Sequence, residues 1–94
     1  DLAIDLEARE VRRGDAAIGL TQREFELLAY LARHARQVKT RVQILDAVWG
    51  QDFAGDENVL EVTISHLRAK LEHGGAARLL HTVRGVGYVL RGAH

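Results

Sequence analysis

Apolar residues along this chain change their spacing several times, and each change marks an element. Near the start they alternate through Leu2, Ile4 and Leu6, then recur around Val11 and again at Ala17-Ile18. That two-residue period is the signature of half-buried strands. Arg13-Gly14-Asp15 supplies a hairpin turn between the second and third runs, so a small antiparallel sheet packed on one face is expected. From Thr21 the period becomes helical. Thr21 caps a first helix and Glu24 completes a capping box, with Leu20 and Phe25 at the positions of a hydrophobic staple. Phe25, Leu28, Ala29 and Ala32, extended by Leu31, form its inner face, and it should end near His34-Ala35.

A second helix opens in the same way, with Thr40 capping and Gln43 as its reciprocal partner. Ile44, Leu45, Val48 and Trp49 give its apolar face and Gly50 ends it. A third helix is predicted from Asn58 to His73, stopped by Gly74-Gly75. Leu60, Ile64, Leu67 and Leu71 form one stripe of that helix. Its opposite face carries Asn58, Val62, Ser65, His66 and Ala69, flanked by Thr63 and Lys70 on one side and Arg68 on the other. Two last strands, 79–83 and 88–90, flank a turn at Arg84-Gly85-Val86-Gly87. The order of strands, three helices and a hairpin is α+β.

Ninety-four residues without an internal repeat make a single domain spanning 1–94. With 47% hydrophobic and 28% charged residues the chain has an ordinary globular composition. No apolar run approaches the roughly 18 residues of a membrane span, and no signal peptide is recognisable. A chain that begins at Asp1 rather than Met is expected to be part of a longer protein. Lys plus Arg and Asp plus Glu both number 13, so the net charge is zero, where a nucleic-acid binder usually shows a basic excess. The charges are unevenly spread, however, because no Lys or Arg lies between Val42 and Leu67. Acidity gathers in the loop and first turn before the third helix, and any DNA binding would rest on scattered arginines.

The residues offer little for catalysis or metal binding. With no Cys there is no thiolate zinc site. His66 and His73 are seven residues apart, about 10.5 Å along a helix, too far for one ion. Ser65 and His66 are sequence neighbours whose side chains diverge by about 100°, so no triad forms. Gly85-Val86-Gly87 follows a strand but does not open a helix, as a phosphate loop would. No enzyme, cofactor or metal is expected. The outward face of the third helix reads differently, since Val62 suits a thymine methyl and Asn58, Thr63, Ser65 and His66 suit base edges or phosphates. A helix of that kind followed by an Arg-Gly hairpin suggests a winged helix, with Arg84 reaching between phosphates in a minor groove.

Three runs carry a family likeness. These are Leu20-Thr21 through Glu24-Phe25 and Leu27-Leu28; Thr40-Arg41, Leu45 and Val48-Trp49-Gly50; and Glu61-Val62, Ile64, Leu67-Arg68, Lys70-Leu71 with Thr82-Val83-Arg84-Gly85, Gly87-Tyr88. Together they resemble the effector domain of OmpR/PhoB-type bacterial response regulators over essentially the whole chain. The resemblance implies a winged helix-turn-helix: a four-stranded N-terminal antiparallel sheet, three helices, and a C-terminal β-hairpin wing pairing with a short strand near Val38. It implies helix 58–73 in the major groove and wing 84–87 in the minor groove of double-stranded DNA. Base readout would fall to Val62, Thr63, Ser65 and His66. Backbone contacts would fall to Arg41, Trp49, Asn58, Val59, Arg68, Thr82, Arg84 and Tyr88. The loop Gln51, Asp52, Phe53, Ala54, Gly55, Asp56 and Glu57 would touch RNA polymerase. Many members carry Arg where this chain has His66, and Arg followed by Ser or Thr where it has Asn58-Val59.

The same resemblance implies a receiver domain, phosphorylated on Asp, that pairs two copies on direct-repeat half-sites about one helical turn apart. A two-component transcription regulator in the bacterial cytoplasm, at the nucleoid, follows. Two alternatives stand beside it. One is the same fold in a membrane-anchored one-component activator. The other is a winged helix used as a protein-protein interaction module, which zero net charge and an acidic loop favour.

Overall fold

The computed structural model describes residues 2–50 and 58–92. Three strands open the chain: β1 (Leu2–Asp5), β2 (Glu10–Arg13) and β3 (Ala16–Ile18), paired antiparallel in that order. Register puts Ile4 opposite Val11 and Val11 opposite Ile18. This row faces inward, with Val11 buried and the other two half-buried. Among the described residues the sheet has three strands, not the four implied by the family resemblance, because the chain leaves β3 at Ile18 and enters a helix by Gln22. Two details of the sequence pattern are also corrected. Leu6 does not continue β1, because the Asp5 carboxylate accepts from the amides of Glu7 and Ala8 and turns the chain. Arg13 is the last residue of β2 rather than part of the turn, so the turn is Gly14-Asp15 alone.

Both predicted capping boxes form. Thr21 Oγ1 accepts from Glu24 N at 3.2 Å while Glu24 Oε1 accepts from Thr21 N at 2.9 Å, opening α1 (Gln22–Arg33). Thr40 and Gln43 repeat the exchange at 3.1 and 2.9 Å, opening α2 (Arg41–Ile44). The second helix then widens into a π-helical turn, Leu45–Trp49. That widening brings Ile44 and Trp49, five apart, to the same buried side, with Leu45 and Val48 half-buried beside them. The third helix, α3 (Val59–Leu71), buries the predicted stripe: Leu60, Ile64, Leu67 and Leu71 are at most 2% exposed. It stops two residues earlier than expected, and a 3₁₀ turn at His73–Gly75 takes the chain away.

Strand β4 (Lys39–Thr40) precedes α2, and the C-terminal hairpin is β5 (Leu80–Val83) and β6 (Gly87–Leu90). The three form a second sheet with β6 in the centre, so the strand expected near Val38 lies one residue further on. The core joins α1 (Leu27, Leu28, Leu31), Ile44, Trp49, the α3 stripe and Leu80. Leu27 is fully buried although the helical reading of α1 left it out.

Two long-range polar links position α3. Arg13, itself buried, donates Nη1 to the Leu71 carbonyl at 2.8 Å, satisfying a helix-end acceptor. Lys70 Nζ lies 2.6 Å from Glu24 Oε1, tying α3 to the first turn of α1. Burial alone would raise the Glu24 carboxyl pKa, but the hydrogen bonds from Lys70 and Thr21 win and hold it below its ordinary value.

A candidate nucleic-acid interface

The face of α3 opposite its buried stripe is open. Val62 is 49% exposed, and Ser65, His66 and Ala69 are exposed with it. Thr63 lies at the edge, half-buried, with its hydroxyl donating to the Val59 carbonyl at 2.8 Å. Its proton is thus committed within the helix, and the side chain offers a lone pair and a methyl group outward. Asn58 is exposed and Val59 half-buried at the start of the same helix. Three small or medium side chains one turn apart, free of bulky charge, leave room for another surface to approach the helix closely.

Next to this face Arg68 ties the hairpin to α3. Arg68 donates Nε to the Leu80 carbonyl at 2.9 Å and Nη2 to the Thr82 hydroxyl. Its guanidinium also stands 5.9 Å from the Tyr88 ring centroid. Arg68 therefore binds helix to wing, an arrangement its sequence position does not reveal. At the tip, Val86 N donates to Val83 O at 2.9 Å, and Gly85 takes a φ of 73°, which leaves Arg84 exposed in the turn. Gly87 answers a different demand, since a Cβ there would lie 1.9 Å from the Lys39 carbonyl oxygen.

A carboxylate joins three elements at the root of the wing. Arg41, on the first turn of α2, grips Glu61 of α3 through Nε at 2.7 Å and Nη2 at 3.0 Å. The Tyr88 hydroxyl of β6 donates to the same carboxylate at 3.4 Å. The hydrogen bond from Arg41 outweighs burial and holds the Glu61 carboxyl below its ordinary pKa. Burial, with Glu61 beside it, raises that of Tyr88. The structure thus brings Arg41, Arg68, Thr82 and Tyr88 together around Glu61 and the hairpin. Trp49 sits apart, buried, with the Arg23 guanidinium 5.3 Å from its ring centroid. Sequence reading counted Glu61 as local acidity and as part of the family-like run, without a partner. Its partner Arg41 is twenty residues away, and no local period reports a pair at that separation.

The loop expected to touch polymerase, residues 51–57, lies outside the described residues. Among the described residues no three His, Asp or Glu side chains converge to hold a metal. No described helix is long and apolar enough to cross a membrane.

Residues 15–90 match the family model described as "Transcriptional regulatory protein, C terminal". The chain is 51% identical over 92 residues to YkoG of Bacillus subtilis, described as an uncharacterized transcriptional regulatory protein, covering 98% of this chain and 40% of YkoG. It is 56% identical over 90 residues to the transcriptional regulatory protein PrrA of Mycobacterium tuberculosis, covering 96% of this chain and 39% of PrrA. The chain thus spans about two-fifths of the length of the curated relatives it matches. Among solved structures it superposes on the Klebsiella pneumoniae RstA DNA-binding domain, determined in complex with the RstA box. The TM-score is 0.83 at 33% identity, covering 96% of this chain and 90% of that one.

Proposed function

This chain belongs to the OmpR/PhoB-type family of C-terminal transcriptional-regulator domains, and from that premise we propose that it reads double-stranded DNA for a two-component response regulator. The observation that carries the reading is the open face of α3, with Val62, Ser65 and His66 exposed beside a hairpin that Arg68 locks in place. An α-helix of this width fits the major groove, where base edges offer a distinct pattern of donors, acceptors and methyl groups. The wing tip, with Arg84 at a glycine turn, then follows the backbone into the neighbouring minor groove.

Within this reading the side chains divide by chemistry. Val62 meets a thymine methyl, while Thr63 accepts and Ser65 and His66 donate or accept at base edges. Arg41, Asn58, Arg68, Thr82, Arg84 and Tyr88 serve the sugar-phosphate backbone and fix register. Val59 has no polar side-chain atom and contributes through its backbone amide, one of the free N–H groups of a helix start. Trp49, being buried, acts by shaping the surface under its neighbours. The domain performs no catalysis. In the whole protein, a receiver domain pairs two copies on direct repeats, loop 51–57 engages RNA polymerase, and the assembly works in the bacterial cytoplasm.

Amide NMR of the 94-residue chain, titrated with a mixed-sequence duplex at low salt, tests the proposal. The expected shifts centre on Val62 to Arg68 and Arg84 to Tyr88 and disappear as salt is raised. Shifts absent from both segments would overturn DNA binding in favour of a protein-docking module.

A further inference from the structure

We propose that Glu61 is an intramolecular competitor of DNA: its carboxylate occupies the guanidinium edge of Arg41 that a backbone phosphate takes on binding. The inference rests on the DNA-binding reading above and adds a residue that tunes it. Arg41 Nε and Nη2 form the two-pronged edge that matches a phosphate as well as a carboxylate. In the free domain both prongs are on Glu61, at 2.7 and 3.0 Å. The pair is surface-accessible, with side chains 44% and 41% exposed, so a phosphate can reach it without unfolding anything. The Tyr88 hydroxyl also donates to this carboxylate at 3.4 Å, a third hydrogen bond that Glu61 accepts in the free domain.

The local charge makes the competition matter. No Lys or Arg occurs between Val42 and Leu67, so Arg41 is the last cation before the exposed face of α3. While Glu61 neutralises it, the front of the domain contributes no net positive charge at this point. A carboxylate that only oriented Arg41 for phosphate would have the opposite effect, since its loss would weaken binding. The sign of the change therefore separates the two roles.

The test is Glu61→Gln, which keeps the shape, removes the charge and replaces one of the two acceptor oxygens with a donor NH2, so that it no longer holds both prongs of Arg41. Affinity for a mixed-sequence duplex is measured by fluorescence anisotropy across a salt series, with Glu10→Gln as a control of equal charge on the N-terminal sheet. Glu61→Gln is expected to bind about fivefold tighter at low salt, the worth of one exposed pair. The plot of log affinity against log salt should keep nearly the same slope, because Arg41 contacts a phosphate in both complexes. Glu10→Gln should change neither quantity appreciably. Equal or weaker binding by folded Glu61→Gln overturns the proposal, as does an equal gain from Glu10→Gln. Should Glu61→Gln fail to fold, the Arg41 Nε–H resonance of the unmodified chain decides. That resonance is expected to shift on adding duplex, and its staying fixed while α3 amides move overturns the competition. An unmodified chain that does not bind duplex overturns the DNA-binding reading itself, whereas binding without a Glu61→Gln gain overturns this inference alone.

Discussion

Gly87 packs so closely on Lys39 that a β-carbon at Gly87 would stand 1.9 Å from the Lys39 carbonyl oxygen and 2.8 Å from its carbonyl carbon. Both atoms belong to backbone that pairs β4 with β6, so neither can swing aside. Gly87→Ala is expected to cost more than about 2 kcal/mol and to detach β4 from the hairpin. Gly85→Ala meets open space and carries only the strain of its left-handed φ, about 1 kcal/mol. Urea denaturation of the two variants checks this order, and equal losses would contradict it.

The Glu24–Lys70 pair makes stability depend on acid. A carboxyl held below its ordinary value in the folded state stabilises fully above the unfolded value, near pH 4.3, and loses that contribution as pH falls through the lowered folded value. Glu24→Gln is expected to lose about 1–2 kcal/mol at neutral pH, since it weakens both the cap and the link to α3. Its stability should also decline less than that of the unmodified chain between about pH 5 and 3. Urea midpoints across this range provide the measurement. Identical pH slopes for the two proteins would rule out Glu24 as a source of the acid sensitivity.

Arg68 joins α3 to the hairpin through the Leu80 carbonyl and the Thr82 hydroxyl. Arg68→Ala should therefore loosen the wing as well as remove a cation. Stability is expected to fall by about 1–3 kcal/mol, with faster hydrogen exchange in β5 and β6 and weaker binding to every duplex. Arg84→Ala removes an exposed charge at the wing tip. It should weaken binding to all sequences while leaving exchange in the hairpin unchanged. If the two variants behave alike in exchange, Arg68 does not hold the wing.

His66 is exposed near the middle of the open face of α3, and the proposed reading gives it base edges. His66→Ala is expected to relax preference at one base position by about 1–3 kcal/mol and to leave affinity for unrelated duplexes nearly unchanged. Selection of preferred sites from a random pool by each protein makes the comparison. An unaltered preferred site would remove His66 from base reading.

Features written in nearest neighbours were legible in the sequence. Thr21 with Glu24 and Thr40 with Gln43 announce both capping boxes, because each box is built from residues three apart. The stripe Leu60, Ile64, Leu67 and Leu71 announces the buried side of α3, and the same period leaves Val62, Ser65 and His66 outward. Less legible were places where a polar group overrides the pattern. Leu6 continues the alternation of β1 on paper, yet the Asp5 carboxylate turns the chain first. Arg13 looks like a turn residue beside Gly14, but it is drawn inward by an unsatisfied carbonyl fifty-eight residues away.

By itself, the sequence determined where the helices start and which side of α3 stays open, because capping and amphipathic spacing act within one or two turns. Only the tertiary structure decided what the charged residues are for. Arg13 closes the end of α3, Lys70 ties it to Glu24, Arg68 fixes the wing, and Arg41 is held by Glu61. It also separated two glycines that look alike in sequence, Gly85 for its φ and Gly87 for its closeness to Lys39. The physical reason is range: a long side chain takes whichever donor or acceptor the folded backbone brings near it, and only packing determines which one that is.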